Sequence, residues 1–185
     1  MSRFDFISSF LDGVTLIQRK PIEDERGFFT RFYCAEEFVD AGVNEPISQI
    51  NHSLTRNKGA VRGMHYQIPP HTETKVVSCI KGEIFDVAVD IRKNSPTFLH
   101  WHGEILTASN RRSLVIPEGF AHGFQALTED CEIIYCVTAA YSSENECIIN
   151  ATDPAIAVSW PQPITERSVR DSEQPDINST FTGLS

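Results

Sequence analysis

Three patches of this 185-residue sequence gather side chains that can move protons or hold anions. The first is Glu25-Arg26-Gly27-Phe28-Phe29. The second runs from Gln49-Ile50-Asn51 through Gly59-Ala60-Val61-Arg62-Gly63-Met64-His65-Tyr66-Gln67 to Lys75. The third is Ile116-Pro117-Glu118-Gly119-Phe120-Ala121-His122-Gly123-Phe124, followed by Tyr135. Histidine changes charge near neutral pH, so His65 and His122 are the first candidates for general acid–base work. Arg26 and Arg62 present forked donors that match phosphate oxygens. Each residue alone has a plainer explanation: a satisfied histidine, a surface arginine beside a turn glycine, a core tyrosine with its hydroxyl wet, a lysine at a solvated strand start. Those explanations do not account for the residues occurring together.

The elements that must position them read as short strands. In Lys75-VVSCI-Lys81-Gly82-EIFDVAVDIR, Lys81-Gly82 breaks two β-rich runs, and the pattern predicts a hairpin there. In the second run Phe85, Val87, Val89 and Ile91 alternate with Ile84, Asp86, Ala88, Asp90 and Arg92. Period two puts the first set on one face, while the second set mixes apolar and charged groups. An open sheet would give that mixed face to solvent, whereas a barrel could line a polar ligand cavity with it. Further strands are expected at Ser113-LVIP, Glu132-IIYCVTAAY and Glu146-CIINA, and a short helix at Ala35-EEFVDAG stopped by Gly42. The tail from Trp160 onward, rich in Pro, Ser and Asp, is expected to be irregular. Many short strands and little helix predict an all-β barrel or jelly roll.

The length suits one domain spanning 1–185, large enough to bury a core without disulfides or metals. A formal net charge of −9 argues against nucleic acid or an anionic membrane as partner, although a local basic pocket for a phosphate ligand is compatible with it. No apolar run approaches membrane-spanning length, and the N-terminus reads as mature protein rather than a signal peptide. Five scattered cysteines with no Cys-x-x-Cys spacing predict buried, reduced thiols in a cytoplasmic protein.

The phrases DERGFF, QINHS, KGAVRGMHYQIPP, KVVSCIKGEIFDVAVDIRKNSPTF, IPEGFAHGF, IIYCVTAAY, WP and SVRD, in this order, resemble the dTDP-4-dehydrorhamnose 3,5-epimerases. The resemblance runs from about Gly13 to about Pro175. It implies a cupin-like jelly roll with a few short helices. It also implies a cofactor-free, metal-free epimerase acting on a nucleotide-diphospho-4-keto-6-deoxyhexose in deoxysugar biosynthesis. The assembly implied is a homodimer with the N-terminal segment packing across the interface. Residue by residue, His65 matches the general base, Asp171 its paired carboxylate, Tyr135 the acid on the opposite face, and Lys75 the cation near the enolate oxygen. Arg26, Gln49, Asn51, Arg62, His122, Glu146 and Arg170 match positions that hold the sugar or the diphosphate, and Phe29 belongs with them.

Two positions depart from the family. Arg31 stands where an acidic residue usually helps recognise the base, and Ala140 stands where an aromatic often precedes Tyr141. Thymine and uracil offer N–H at N3, whereas cytosine N3 is an acceptor, so Arg31 raises a cytidine nucleotide as an alternative handle. A CDP-linked 3,6-dideoxy sugar would then be inverted at C5 only. Other readings are a metal-dependent cupin oxygenase or isomerase, a non-catalytic sugar-nucleotide-binding module, and a ketoisomerase on the same scaffold. The metal reading is weak, because His65-Tyr66-Gln67 lacks the second histidine of metal cupins.

Overall fold

The computed structural model describes residues 2–185 and carries thirteen strands and two four-residue helices. In chain order these are β1 (Phe4–Ser8), β2 (Thr15–Arg19), β3 (Ile22–Asp24), β4 (Gly27–Phe29), α1 (Ala35–Phe38), β5 (Gln49–Thr55), β6 (Val61–Gln67), β7 (Lys75–Lys81), β8 (Glu83–Asp90), β9 (Trp101–Thr107), β10 (Arg112–Ile116), β11 (Phe120–Ala126), β12 (Cys131–Val137), β13 (Glu146–Ile148) and α2 (Val169–Ser172). Two antiparallel sheets face each other, ordered β1-β2-β10-β7-β12-β5 and β13-β6-β11-β8-β9, with β3-β4 as a separate ribbon. Across them β5 pairs β12, β6 pairs β11, β7 pairs β10 and β8 pairs β9. This nested pairing, with the chain passing between the sheets from β5 to β8 and again from β9 to β13, is the expected all-β jelly roll.

The expected hairpin at Lys81-Gly82 is not one. β7 pairs with β10 and β12, while β8 pairs with β11 and β9, so the chain crosses there from one sheet to the other. Gly82 makes the crossing at φ +76°, where an added Cβ would sit 2.6 Å from Thr128 Oγ1 and 3.0 Å from Cys131 Sγ. A turn glycine between β-rich runs looks the same in sequence whether the runs pair or separate.

Both faces of β8 are used. Ile84 and Ala88 join Leu16, Val77, Leu114, Phe120 and Phe124 in the core between the sheets. Val87, Val89 and Ile91 face outward and are covered by Ile149, Ile156, Trp160 and Phe181 of the C-terminal segment. The apolar set therefore faces outward, under a tail that is irregular but packed, and the mixed set faces the interior. Each fully buried aliphatic side chain on either face contributes about 1.5–3 kcal/mol. The outer face of the other sheet is covered by α1, which continues as a 3-10 turn at Val39–Ala41 and stops at Gly42, with Phe38 against Phe4, Val76 and Val115. All five thiols are free; Cys79, Cys131 and Cys136 are buried, while Cys34 and Cys147 are only partly covered, a correction to the expectation of full burial.

Candidate active site

At one end of the barrel the apolar core gives way to a cavity of about 450 Å³. The six-stranded sheet supplies Gln49, Asn51 and Ser53 from β5, Tyr135 from β12 and Lys75 from β7. Register explains their common face: Tyr135 lies opposite Asn51 and Val77, and Val137 lies opposite Gln49 and Lys75. Side chains two apart on neighbouring strands project to the same side. The five-stranded sheet supplies Arg62 and His65 from β6, His122 from β11 and Glu146 from β13.

Arg62 and His65 are three residues apart, a spacing that strict alternation would send to opposite faces. Opposite them, His122 and Phe124 are two apart: His122 pairs His65 and Phe124 pairs Arg62. The extra residue on β6 makes a bulge, and the bulge turns both side chains into the cavity. Gly63 sits in it at φ +124°, with the β11 backbone so close that a Cβ would lie 2.6 Å from Gly123 Cα and 2.7 Å from the His122 carbonyl oxygen. Only glycine fits that approach.

His65 Nε2 lies 2.8 Å from Asp171 Oδ1. A carboxylate only accepts, so Nε2 carries a proton, and in the neutral imidazole Nδ1 keeps its lone pair. Asp171 belongs to α2, whose N-cap Ser168 accepts the Asp171 backbone N–H, and Asp171 Oδ2 accepts from Gly63 N–H at 3.3 Å. Burial pushes the Asp171 carboxyl up, but the hydrogen bonds from His65, Gly63 and Ser168, with the charge of His65 when its ring is protonated, hold it below its ordinary value. His122 has a partner of the same kind: its Nε2 lies 2.7 Å from Asp86 Oδ1 on β8.

Burial pushes the Tyr135 hydroxyl up first, and Glu73 and Glu146 add to this against the opposing charge of Arg62. The phenol therefore keeps its proton at neutral pH, as an acid must. Glu146 accepts from Tyr141 Oη at 2.9 Å and pairs with Arg170 of α2. Behind His65, a groove of about 470 Å³ runs past Arg56, Arg62, Arg167 and Arg170 to Asp171. It shares Arg62 and His65 with the cavity and offers guanidinium donors of the kind that hold diphosphate.

Of the residues singled out in the sequence, Gln49, Asn51, Arg62, His65, Lys75, His122, Tyr135 and Glu146 line the cavity, and Asp171 and Arg170 line the adjoining groove. Arg26, Phe29 and Arg31 are elsewhere. Arg26 is bound to Asp24 on the exposed β3–β4 ribbon, where Phe28 and Phe29 are 57% and 65% exposed. Arg31 donates to Glu37 at 3.1 Å. Sequence reasoning missed Glu73, Ser53 and Tyr141 as lining residues and Asp86 as the partner of His122. Only Asp86 left a signal, as one of the charges on the mixed face of its strand. Among the described residues no three His, Cys, Asp or Glu side chains form a group that could hold a metal ion.

The sequence pattern of the dTDP-4-dehydrorhamnose 3,5-epimerase family matches residues 8–179. The chain is 44% identical to the dTDP-4-dehydrorhamnose 3,5-epimerase of Shigella flexneri over 84% of its length and 86% of that protein. It is 43% identical to the Salmonella typhimurium enzyme of the same name over 91% and 93%. The crystal structure of the dTDP-6-deoxy-D-glucose-3,5-epimerase of Legionella pneumophila, in complex with dTDP-4-keto-L-rhamnose, superposes with a TM-score of 0.86 at 40% identity, covering 91% of this chain and 89% of that one.

Proposed function

This chain belongs to the dTDP-4-dehydrorhamnose 3,5-epimerase family and is a deoxysugar-pathway epimerase, and on that premise we propose how its residues work and on what. The substrate is dTDP-4-dehydro-6-deoxyglucose, inverted at C3 and C5. The observation that carries the reading is that a histidine with a free Nδ1 and a protonated tyrosine enter one cavity from opposing sheets.

A carbon beside a ketone is acidic only if the enolate is stabilised. His65 Nδ1 takes the proton, the C–H pair becomes the enolate double bond, and the carbonyl π pair moves onto oxygen. The Lys75 ammonium donates to that oxygen; removing one such donor typically costs about a hundredfold or more. Tyr135 then delivers its proton to the other face of the same carbon, which inverts it. Asp171 holds the His65 tautomer and balances the imidazolium. Arg62 and Arg170 hold the diphosphate.

The nucleotide is dTDP: the Legionella relative is bound to a dTDP sugar, and Arg31 here is engaged by Glu37 of its own chain, which weakens the case for a cytosine-reading donor. The assembly is a homodimer in which Arg26 and Phe29 reach the partner's cavity, a reading supported by their exposure and their absence from the lining of their own cavity. No helix among the described residues is long and apolar enough to cross a membrane, and a nucleotide-sugar substrate points to the cytoplasm.

The test is incubation with dTDP- and CDP-linked 4-keto-6-deoxyhexoses in D₂O, followed by NMR and mass spectrometry. Deuterium at C3 and C5 with inversion, and a preference for dTDP, is expected. Exchange at C5 alone with preference for the CDP-linked 3,6-dideoxy sugar would replace the substrate named here. Absence of exchange with any of them would refute the catalytic assignment of His65 and Tyr135. Light scattering, with recovery of activity on mixing Arg26→Ala and His65→Ala protomers, tests the dimer.

A further inference from the structure

One ionic contact in the cavity has no part in the scheme above. Glu73, in the loop between β6 and β7, lines the cavity and lies 2.7 Å from Lys75 Nζ. The two side chains are only 9% and 10% exposed. A lysine stem has four rotatable bonds and a hydrated head, so a lone ammonium in such a place is poorly located and costly to desolvate. A carboxylate at hydrogen-bond distance removes both problems, taking one of the three N–H donors and leaving two for the cavity.

We propose that Glu73 is a positioning residue of the epimerisation, acting through Lys75, which it anchors at the cavity wall, and on Tyr135, which lines the same cavity. The meaning of the contact for turnover rests on the epimerase mechanism above; the contact itself does not. The other charged or titratable groups facing this pair are Arg62 and His65 from β6, His122 from β11, Glu146 from β13, Tyr135 from β12 and Tyr141 from the loop after β12. Within that set Glu73 follows only burial among the influences that raise the Tyr135 hydroxyl, and it outweighs Glu146. Its charge therefore favours the protonated phenol needed for the second proton transfer. The carboxylate also softens the ammonium's pull on the enolate oxygen. A fixed donor with an acid that keeps its proton is gained at the expense of some field strength.

The experiment compares wild type, Glu73→Gln and Glu73→Asp in two readouts. The first is kcat and KM for epimerisation, from neutral to alkaline pH. Glu73→Gln, which keeps the shape and removes the charge, should lower kcat about 10–100-fold. KM should change less than about twofold, because uniform binding is untouched. The alkaline limb of kcat should move to lower pH. Glu73→Asp should keep that limb in place and recover part of kcat. Wild-type kcat and limb in Glu73→Gln, or a loss confined to KM, would overturn the proposal. The second readout is ultraviolet titration of the phenolate, with Tyr135→Phe as the blank, and it needs no turnover. A lower Tyr135 midpoint in Glu73→Gln supports the proposal, and an unchanged midpoint overturns it. An inactive wild type with a shifted midpoint would sink the epimerase mechanism and leave the contact standing. If Glu73→Gln does not fold, Glu73→Asp decides: its shorter chain withdraws from Lys75, so full wild-type kcat would overturn the proposal.

Discussion

Two histidine–aspartate pairs lie side by side in this barrel, and they differ in almost everything except composition. His65 and His122 are cross-strand partners on β6 and β11. Each binds a carboxylate through Nε2, at 2.8 and 2.7 Å. Yet the His65 side chain is 33% exposed, its aspartate sits on a four-residue helix 106 positions away, and it opens onto both cavity and groove. The His122 side chain is 9% exposed, and its Asp86 is wholly buried on the neighbouring strand. Asp86 Oδ2 has no protein hydrogen-bond partner, whereas Asp171 Oδ2 takes the bulge N–H of Gly63. A base must reach substrate and exchange its proton afterwards, which suits the first pair. The second is built to hold one geometry, as a binding donor or wall does. Chemistry follows from access and support, not from the residue pair.

The largest expected effect is loss of the open pair. His65→Ala should lower kcat for deuterium exchange by about 10²–10⁴-fold, the range for a general base. An equal loss in His122→Ala, with nucleotide affinity intact, would break the distinction. Next comes the bulge that aims His65. Gly63→Ala puts a Cβ 2.6 Å from Gly123 Cα at a strained φ, and should destabilise the fold by about 1–3 kcal/mol in urea titration and abolish most exchange. Wild-type stability there would mean that β6 and β11 can part without loss.

Asp171→Asn sharpens the contrast through pH. The folded carboxyl lies below its ordinary value, so the unfolded state binds its proton more readily, and ionised Asp171 favours the folded state. That increment is complete above the unfolded value of about 4 and is lost as pH falls through the lower folded value. Melting curves of wild type and Asp171→Asn should differ at neutral pH and converge in acid; a constant gap would place the effect elsewhere. The smallest effect is expected from His122→Gln, which keeps a donor toward Asp86. KM should rise about tenfold, a typical loss of one polar binding contact, with kcat nearly unchanged.

Much of this site was legible in the sequence. His65, Lys75, His122, Tyr135 and Asp171 stand in phrases whose order marks a family, and eight of the residues singled out line one cavity. Strand content was legible too, because period-two patterning is local. The pairing of β7 and β8 was misjudged because a glycine turn carries no record of which sheet the next strand joins. Glu73 escaped because a carboxylate in an irregular loop looks solvated until the strand that follows folds its lysine back onto it.

What the sequence determined by itself is the inventory: which groups can take, give or steady a proton, and which segments prefer to be extended. Tertiary structure alone decided which of those groups meet. Nested pairing brings Asn51 to Tyr135 and His65 to His122 across long stretches of chain, and one extra residue on β6 reverses the facing that alternation predicts for Arg62 and His65. Propensity and periodicity act over a few neighbouring residues. Strand partnership and exposure are set by burying both sheet faces at once, a condition that only the whole chain can satisfy.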